Sequence, residues 1–274
     1  MGAAVAHAGT SRPTTVLAVS NQKGGVGKTT TAVNLAASLA AAEHSCLLID
    51  LDPQGNASSS VGYPRDEVER GAYDLLLGEA ALESVTFATE LPALSVVPAS
   101  NAMIGAEIEL VDVSDRENRL ARALSRAIAS RQWEFILIDC PPSLGLLTLN
   151  GLVAADRVLI PMLARYFSLE GLGALHNTIQ AVREALNPRL EIEGIVFCMY
   201  DRRTNLAQSV VAEVAEHFPQ YAFATRIPQN IRLSESPSHG KPALLYDIES
   251  KGAQAYLELA HELINRIDER VANQ

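Results

Sequence analysis

The chain is poor in features that would define several other protein classes. Its 274 residues include three cysteines, Cys46, Cys140 and Cys198. None has CxxC or metal-ligand spacing, so a disulfide framework and a cysteine-based metal centre are set aside and ordinary reduced thiols are expected. No apolar run reaches the roughly 20 residues of a membrane-spanning helix. Residues 1–15 lack the basic start and long apolar core of a signal peptide. They are small and polar, and a flexible tail on a cytoplasmic protein is expected. Basic residues are scarce: 22 Lys and Arg stand against 32 Asp and Glu, a net charge of −10. That balance argues against a generally basic nucleic-acid binder, so any DNA contact needs a local basic patch or one created by assembly. Aromatic residues make up 5% of a chain that is 48% hydrophobic, a composition that suits a buried Val/Leu/Ile/Ala-rich parallel sheet.

What is present is organised around residues 16–30. The β-branched run 16–19 reads as a buried strand. A glycine-rich turn follows, then a helical run from Lys28 to about Ala42. Strand, glycine loop and helix in this order form the context of a phosphate-binding loop. Gly24, Gly25 and Gly27 let the loop curl until its N–H groups point inward, where they and the helix N-terminus bind phosphate oxygens. Lys28 would reach the β- and γ-phosphates and the Thr29 hydroxyl would ligate Mg²⁺. The strict pattern G-x-x-x-x-G-K-[ST] fails at its first glycine, where Gln22 stands. A second lysine, Lys23, opens the loop instead.

Two further strands end in acids. Residues 45–50 run into Leu51-Asp52-Pro53-Gln54-Gly55-Asn56, where Pro53 and Gly55 stop the strand. The carboxyl ends of parallel strands are where open α/β sheets bind ligands. A group that positions water beside a γ-phosphate is expected in this loop. Asp50 taken alone is equally compatible with a structural cap. Residues 134–139 form a hydrophobic strand ending in Asp139, the Walker B form, which would hold Mg²⁺ through water. Cys140-Pro141-Pro142-Ser143 then makes a stiff turn suited to a switch.

Further strands are expected at 94–98, 157–162, 191–201 and 221–227. Helices are expected at 66–82, 102–111, 115–131, 146–154, 168–186, 206–217 and 251–271. The charged face of 115–131 is either solvated or an interface. Strict alternation of the two element types, without repeat or long linker, predicts an α/β fold. It is a single P-loop NTPase domain over 16–274, a mainly parallel twisted sheet with helices on both faces.

From residue 16 to about 263 the sequence resembles the ParA/Soj family of chromosome-partitioning ATPases, with the deviant Walker A of the ParA/MinD class. The segments 21–30, 50–56, 136–149, 200–205 and 227–247 carry the resemblance. It implies ATP and Mg²⁺ as cofactors, bound by Lys23, Gly24, Gly25, Val26, Gly27, Lys28, Thr29 and Thr30. It implies that Lys23 acts across a homodimer on the partner's nucleotide, and that Asp52 positions the attacking water, so that Lys23, Lys28 and Asp52 are the catalytic set. Thr29 and Asp139 become the metal-side residues, and Pro228, Gln229 and Asn230 the segment that contacts adenine. Arg203 and Arg232 match basic positions used for non-specific double-stranded DNA. The implied partner is a ParB-type centromere-binding protein that stimulates hydrolysis, at a cytoplasmic, nucleoid-associated location. Two positions depart from the family pattern: Arg165 stands where a glutamate is usual, and Gln229 where an arginine is common.

Three other readings compete. A ParA-like positioner of a different cargo would share the same chemistry. A MinD-like membrane-cycling ATPase would need a C-terminal amphipathic helix with large apolar anchors, whereas residues 261–271 are mixed in charge and lack an aromatic. No membrane partner is therefore expected. An iron–sulfur reductase would need a pair of loop cysteines bridging a dimer, which Cys140 alone does not supply.

Overall fold

The computed structural model describes residues 12–165 and 168–272. Residues 1–11 of the expected tail lie outside the described residues, as do Tyr166 and Phe167 beside Arg165. In chain order the first half contains β1 (Thr15–Val19), α1 (Lys28–Ala41), β2 (Cys46–Asp50), α2 (Asn56–Ser59), α3 (Ala72–Leu77), β3 (Phe87–Ala88) and β4 (Leu94–Val97). Then come α4 (Met103–Glu109), α5 (Arg119–Ala129), β5 (Phe135–Asp139), α6 (Leu146–Ala154), β6 (Arg157–Leu163) and α7 (Ser168–Ala185). The last part holds β7 (Glu191–Tyr200), α8 (Asn205–His217), β8 (Ala222–Pro228), α9 (Ile231–Glu235), α10 (Ala243–Tyr246) and α11 (Lys251–Ala272).

The strands form one sheet in the order β3-β4-β2-β5-β1-β6-β7-β8. Every neighbouring pair is parallel except β3 with β4. This is the expected α/β architecture. The continuous apolar strands are explained by two cores, because successive side chains of a strand face opposite ways. Val16 and Ala18 of β1 join Leu47 and Ile49 of β2 and Ile136 and Ile138 of β5 in one core, covered by α3 to α8. Leu17 and Val19, Cys46 and Leu48, and Phe135 and Leu137 join the opposite core under α1 and α11. A strand buried on both faces has no polar position to spare, so these runs lack the alternation of a half-exposed strand.

The structure corrects several expected boundaries. The helix expected over 66–82 exists only as α3. Gly71 opens it, with its N–H donating to Asp74 Oδ2 at 2.8 Å, and Gly78 ends it at φ 78°. The helix expected over 115–131 starts at Arg119, because Asp115 takes a left-handed φ of 58° and accepts from Asn118 Nδ2 at 2.8 Å. The helix expected over 102–111 gives way after Glu109 to a 3₁₀ turn, Leu110–Asp112. The two-residue edge strand β3 and the short helices α2, α9 and α10 are additions, too brief to carry a periodic signal.

Long-range ties hold the layers in register. Arg12 pairs with Asp268, and the Thr14 hydroxyl donates to the Trp133 carbonyl at 2.7 Å. Glu193, whose side chain is wholly buried, is gripped by Arg270 at 2.5 and 2.7 Å, which fastens α11 to β7. The Asn187 amide donates toward the carbonyls of Leu152, Val153 and Ala155 at 2.7–3.1 Å, closing the C-terminal end of α6 from outside the helix. Replacing Asn187 by Ala leaves buried carbonyls unmet. The expected loss of stability is about 1–3 kcal/mol, read as a lower urea midpoint at unchanged slope.

Candidate nucleotide site

The loop between β1 and α1 is fixed at both ends. Asn21 Nδ2 donates to the Pro161 carbonyl at 2.8 Å, and Asn21 Oδ1 accepts from the Lys23 N–H at 3.0 Å, so Asn21 straps the start of the loop to β6. At the other end Gly25 and Gly27 take φ values of 69° and 95°, which side chains with a Cβ rarely adopt. Gly27 is also the N-cap of α1, and no side chain caps that helix. Its first N–H groups are left to an external acceptor, and the positive end of the helix dipole favours an anion. Lys28 is buried and its Nζ donates back to the Lys23 carbonyl at 3.0 Å. Burial lowers its pKa, while Asp139 and Asp52 oppose the shift. Lys23 is half-buried beside the exposed Gly24 and Gly25.

Asp50 and Asp139 end neighbouring strands and face each other in register. Their environments differ sharply. Asp50 Oδ2 accepts from both the Ser58 N–H at 2.8 Å and the Ser58 hydroxyl at 2.6 Å, and its Oδ1 accepts from the Asp52 N–H at 3.1 Å. Ser58 Oγ in turn accepts from the Ala99 N–H at 2.8 Å. Burial pushes the Asp50 carboxyl up to about 6 against these bonds. The structure thus settles the open question over Asp50: it organises the 52–58 loop. Asp139 is equally buried, yet neither carboxylate oxygen has a hydrogen-bond partner. Burial, then the charge of Asp50, raises its pKa well above the ordinary range; the Thr29 hydroxyl nearby acts the other way without completing a bond. Asp52, 8% exposed, is held at Oδ1 by the Gln54 N–H at 2.9 Å.

Two unpartnered, fully buried carboxylate oxygens beside a threonine hydroxyl fit a hydrated divalent cation. Magnesium of this kind is bound by one or two protein oxygens, waters and substrate phosphates rather than by a protein cage. Lys28, Thr29, Asp52 and Asp139 are therefore brought together at the carboxyl ends of β1, β2 and β5. Gly145, which precedes α6, lies against the side chain of Glu107 on α4; a Cβ there would stand 1.8 Å from Glu107 Oε1.

A cleft of about 580 Å³ opens beside the loop, lined by Thr29 and Thr30 on one side and Pro228, Gln229 and Asn230 on the other. The nucleotide segments chosen from the sequence thus share one cavity wall with the phosphate loop. Three lining residues had no sequence signal that singled them out. Cys198 sits 3.3 Å from where a Cβ on Gly27 would be, Met199 holds a left-handed φ of 50°, and Lys241 comes from the segment before α10. Asn34 was also missed. It donates to the Thr30 carbonyl at 2.8 Å and accepts from the Ala243 N–H at 2.7 Å, tying α1 to α10. All three cysteines are buried, and burial raises each thiol pKa.

Arg203 and Arg232 lie away from the loop and apart in environment. Arg203 is highly exposed and doubly bonded to Asp201 at 2.8–3.3 Å, a pairing that holds the Asp201 carboxyl at about 2. Arg232 is held by Glu235 at 2.9 Å and Asp247 at 3.1 Å, with the Tyr246 ring 5.8 Å away.

Two outcomes test this geometry without a ligand. Asp139→Asn removes the repulsion between the buried Asp139 and Asp50 carboxyls and is expected to raise the melting temperature of the nucleotide-free protein as pH rises; a melting temperature unchanged or lower at every pH would refute the strain. Gly145→Ala, at φ −81°, displaces only the flexible carboxylate end of Glu107 and is expected to cost less than about 1 kcal/mol by thermal melting.

Comparison with known proteins supports the geometric reading. A family model described as an AAA domain matches residues 14–192. The chromosome partitioning protein ParA of Myxococcus xanthus is 53% identical over 92% of this chain and 88% of its own. The sporulation initiation inhibitor protein Soj of Bacillus subtilis is 50% identical over 90% of this chain and 97% of its own. Among solved structures, a Mycobacterium smegmatis protein described as cobyrinic acid a,c-diamide synthase, with bound ADP and magnesium, superposes with a TM-score of 0.81. It is 35% identical over 93% of this chain and 96% of that one. The chain belongs to the ParA/Soj family of chromosome-partitioning ATPases.

Proposed function

We propose that this ATPase partitions DNA by a cycle of ATP-dependent pairing, DNA binding and release. The observation that carries the reading is the division of labour between two lysines. Lys28 is buried and turned into its own loop, whereas Lys23 stands at the loop mouth among exposed glycines. That placement suits a lysine that meets the nucleotide of a second subunit. Ile104 and Ile108, one turn apart on α4, are 63% and 77% exposed, and Leu144 beside Gly145 is 43% exposed. Apolar side chains left in water near the switch turn support a partner surface there.

Bound Mg²⁺–ATP supplies the anhydride to be cleaved and the cation that neutralises its oxygens. The residues act around it as follows. The uncapped N–H groups from Gly24 to Thr30 hold phosphate oxygens, and Lys28 exchanges the Lys23 carbonyl for a phosphate. Thr29 and Asp139 would hold the cation. Asp52, clamped by the Gln54 N–H, orients the attacking water. Pro228, Gln229 and Asn230 border the base. The 140–145 turn and the 52–58 loop, each anchored to a strand end, change together when the γ-phosphate leaves. Loss of the pair then loses the DNA, and a ParB-type partner accelerates that step. The working place is the nucleoid in the cytoplasm.

A membrane-cycling role is disfavoured by α11, which spends Tyr256, Leu259, Ala260 and Leu263 on the core beneath α1. Among the described residues no helix is long and apolar enough to cross a membrane.

Sedimentation with random-sequence duplex DNA tests the cycle, with ATP, ADP or no nucleotide at two salt concentrations. Binding only with ATP, and weaker at higher salt, is the expected result. Lys23→Ala is expected to bind ATP as a monomer and to lose DNA binding, whereas Asp52→Ala should stay on DNA and lower hydrolysis at least about 100-fold. Absence of DNA binding in every state, with ATP binding intact, would refute the DNA reading and favour a different cargo.

A further inference from the structure

Beneath the phosphate loop lies a buried polar cluster that the nucleotide chemistry above does not use. Thr31, the fourth residue of α1, is fully buried. Its Oγ1 stands 3.1 Å from the phenol oxygen of Tyr256 on α11 and 3.6 Å from Cys198 Sγ near the end of β7. The Thr31 N–H donates to the Gly27 carbonyl at 2.8 Å, which closes the first turn of α1. Behind Gly27 stand the Cys198 Cβ and Sγ, each 3.3 Å from where a Cβ would be. Cys198 and Tyr256 both line the nucleotide cleft. Burial pushes the Cys198 thiol up to about 11 and the Tyr256 phenol well above its ordinary value, so both stay neutral.

Elsewhere α1 and α11 meet through apolar side chains: Leu35 and Leu39 share a core with Leu259, Ala260 and Leu263. Such packing is non-directional. A hydrogen bond between two hydroxyls has a preferred length and angle, so it fixes how one helix sits on the other. A threonine hydroxyl inside a helix also has an alternative acceptor, the carbonyl four residues earlier, and that bond bends the helix. For Thr31 this carbonyl belongs to Gly27, whose φ of 95° shapes the end of the loop. Tyr256, 225 positions away in the chain, draws the hydroxyl toward α11 instead.

We propose that Tyr256 is a positioning residue for ATP hydrolysis: through Thr31 it sets the depth and tilt of the first turn of α1, and with it the uncapped N–H groups that receive phosphate. Tyr256 touches no reacting atom. Its effect is geometric, because a phosphate cradle must be held within about 0.5 Å of its productive position. The ring alone would fill the core, and only the hydroxyl reaches the loop's helix.

The test compares wild type with Tyr256→Phe, Thr31→Val, their combination and Thr31→Ser. Hydrolysis of Mg²⁺–ATP gives kcat and KM, titration with a non-hydrolysable ATP analogue gives affinity, and melting curves set a temperature at which each protein is folded. Tyr256→Phe and Thr31→Val are each expected to weaken analogue binding and to lower kcat/KM about tenfold, the scale of one lost buried hydrogen bond. The combination should cost no more than either change alone, because the two hydroxyls form one contact. Thr31→Ser keeps the hydroxyl and should bind and hydrolyse as the wild type does. A Tyr256→Phe protein that melts lower yet binds and hydrolyses ATP normally would show a purely structural role and overturn the proposal. Losses that add in the combined variant would overturn it as well. If Tyr256→Phe does not fold, Thr31→Val against Thr31→Ser decides from the other side of the contact: equal losses overturn the proposal, and a loss confined to Thr31→Val supports it.

Discussion

Three carboxylates and one ammonium group leave water together at the carboxyl ends of the central strands. Burying charge is costly unless it is paired and hydrogen-bonded. The fold treats the two strand-end acids in opposite ways. Asp50 is saturated by Ser58 and by the amide of Asp52, and through Ser58 it reaches Ala99 after β4. Asp139, its neighbour in the sheet, is left bare. One acid organises a loop and the other is left without a hydrogen-bond partner. Lys28 experiences the same conflict: burial lowers its pKa even though Asp139 and Asp52 pull it the other way. The pocket without ligand thus carries electrostatic strain, and such strain is tolerated where function requires it.

The sheet makes this possible because its centre is rigid. Strand residues alternate between two apolar cores, so β1, β2 and β5 are fixed from both faces. The chemistry sits just beyond their ends, on loops whose anchors are strands. Asn21 fastens the phosphate loop to β6, and Asn34 fastens α1 to α10. The same construction places the 140–145 turn against α4, where Glu107 occupies the space a side chain on Gly145 would need. On the same helix Ile104 and Ile108 face solvent.

The chain is acidic, with a net charge of −10, and its cations are few. Most arginines here are internally spent: Arg119 closes α3 through the Leu76 and Leu77 carbonyls, and Arg157 and Arg270 hold Glu193. Repulsion between the negative surface and DNA also gives a reason for dependence on assembly.

The sequence by itself determined the phosphate loop, the two strands ending in Asp50 and Asp139, and the alternation that makes the sheet parallel. These are local properties. A glycine at positive φ, a β-branched run and a proline after a strand act through their own backbones. The expected helix over 66–82 failed for a related reason: Gly71 and Gly78 outweighed a run of leucines. Only the tertiary structure decided which acid is structural, because Ser58, itself held by the Ala99 N–H, donates to Asp50. It likewise decided that Arg232 is neutralised by Asp247, fifteen positions away. Charge pairing is a property of distance in space, and the order of strands in the sheet sets that distance.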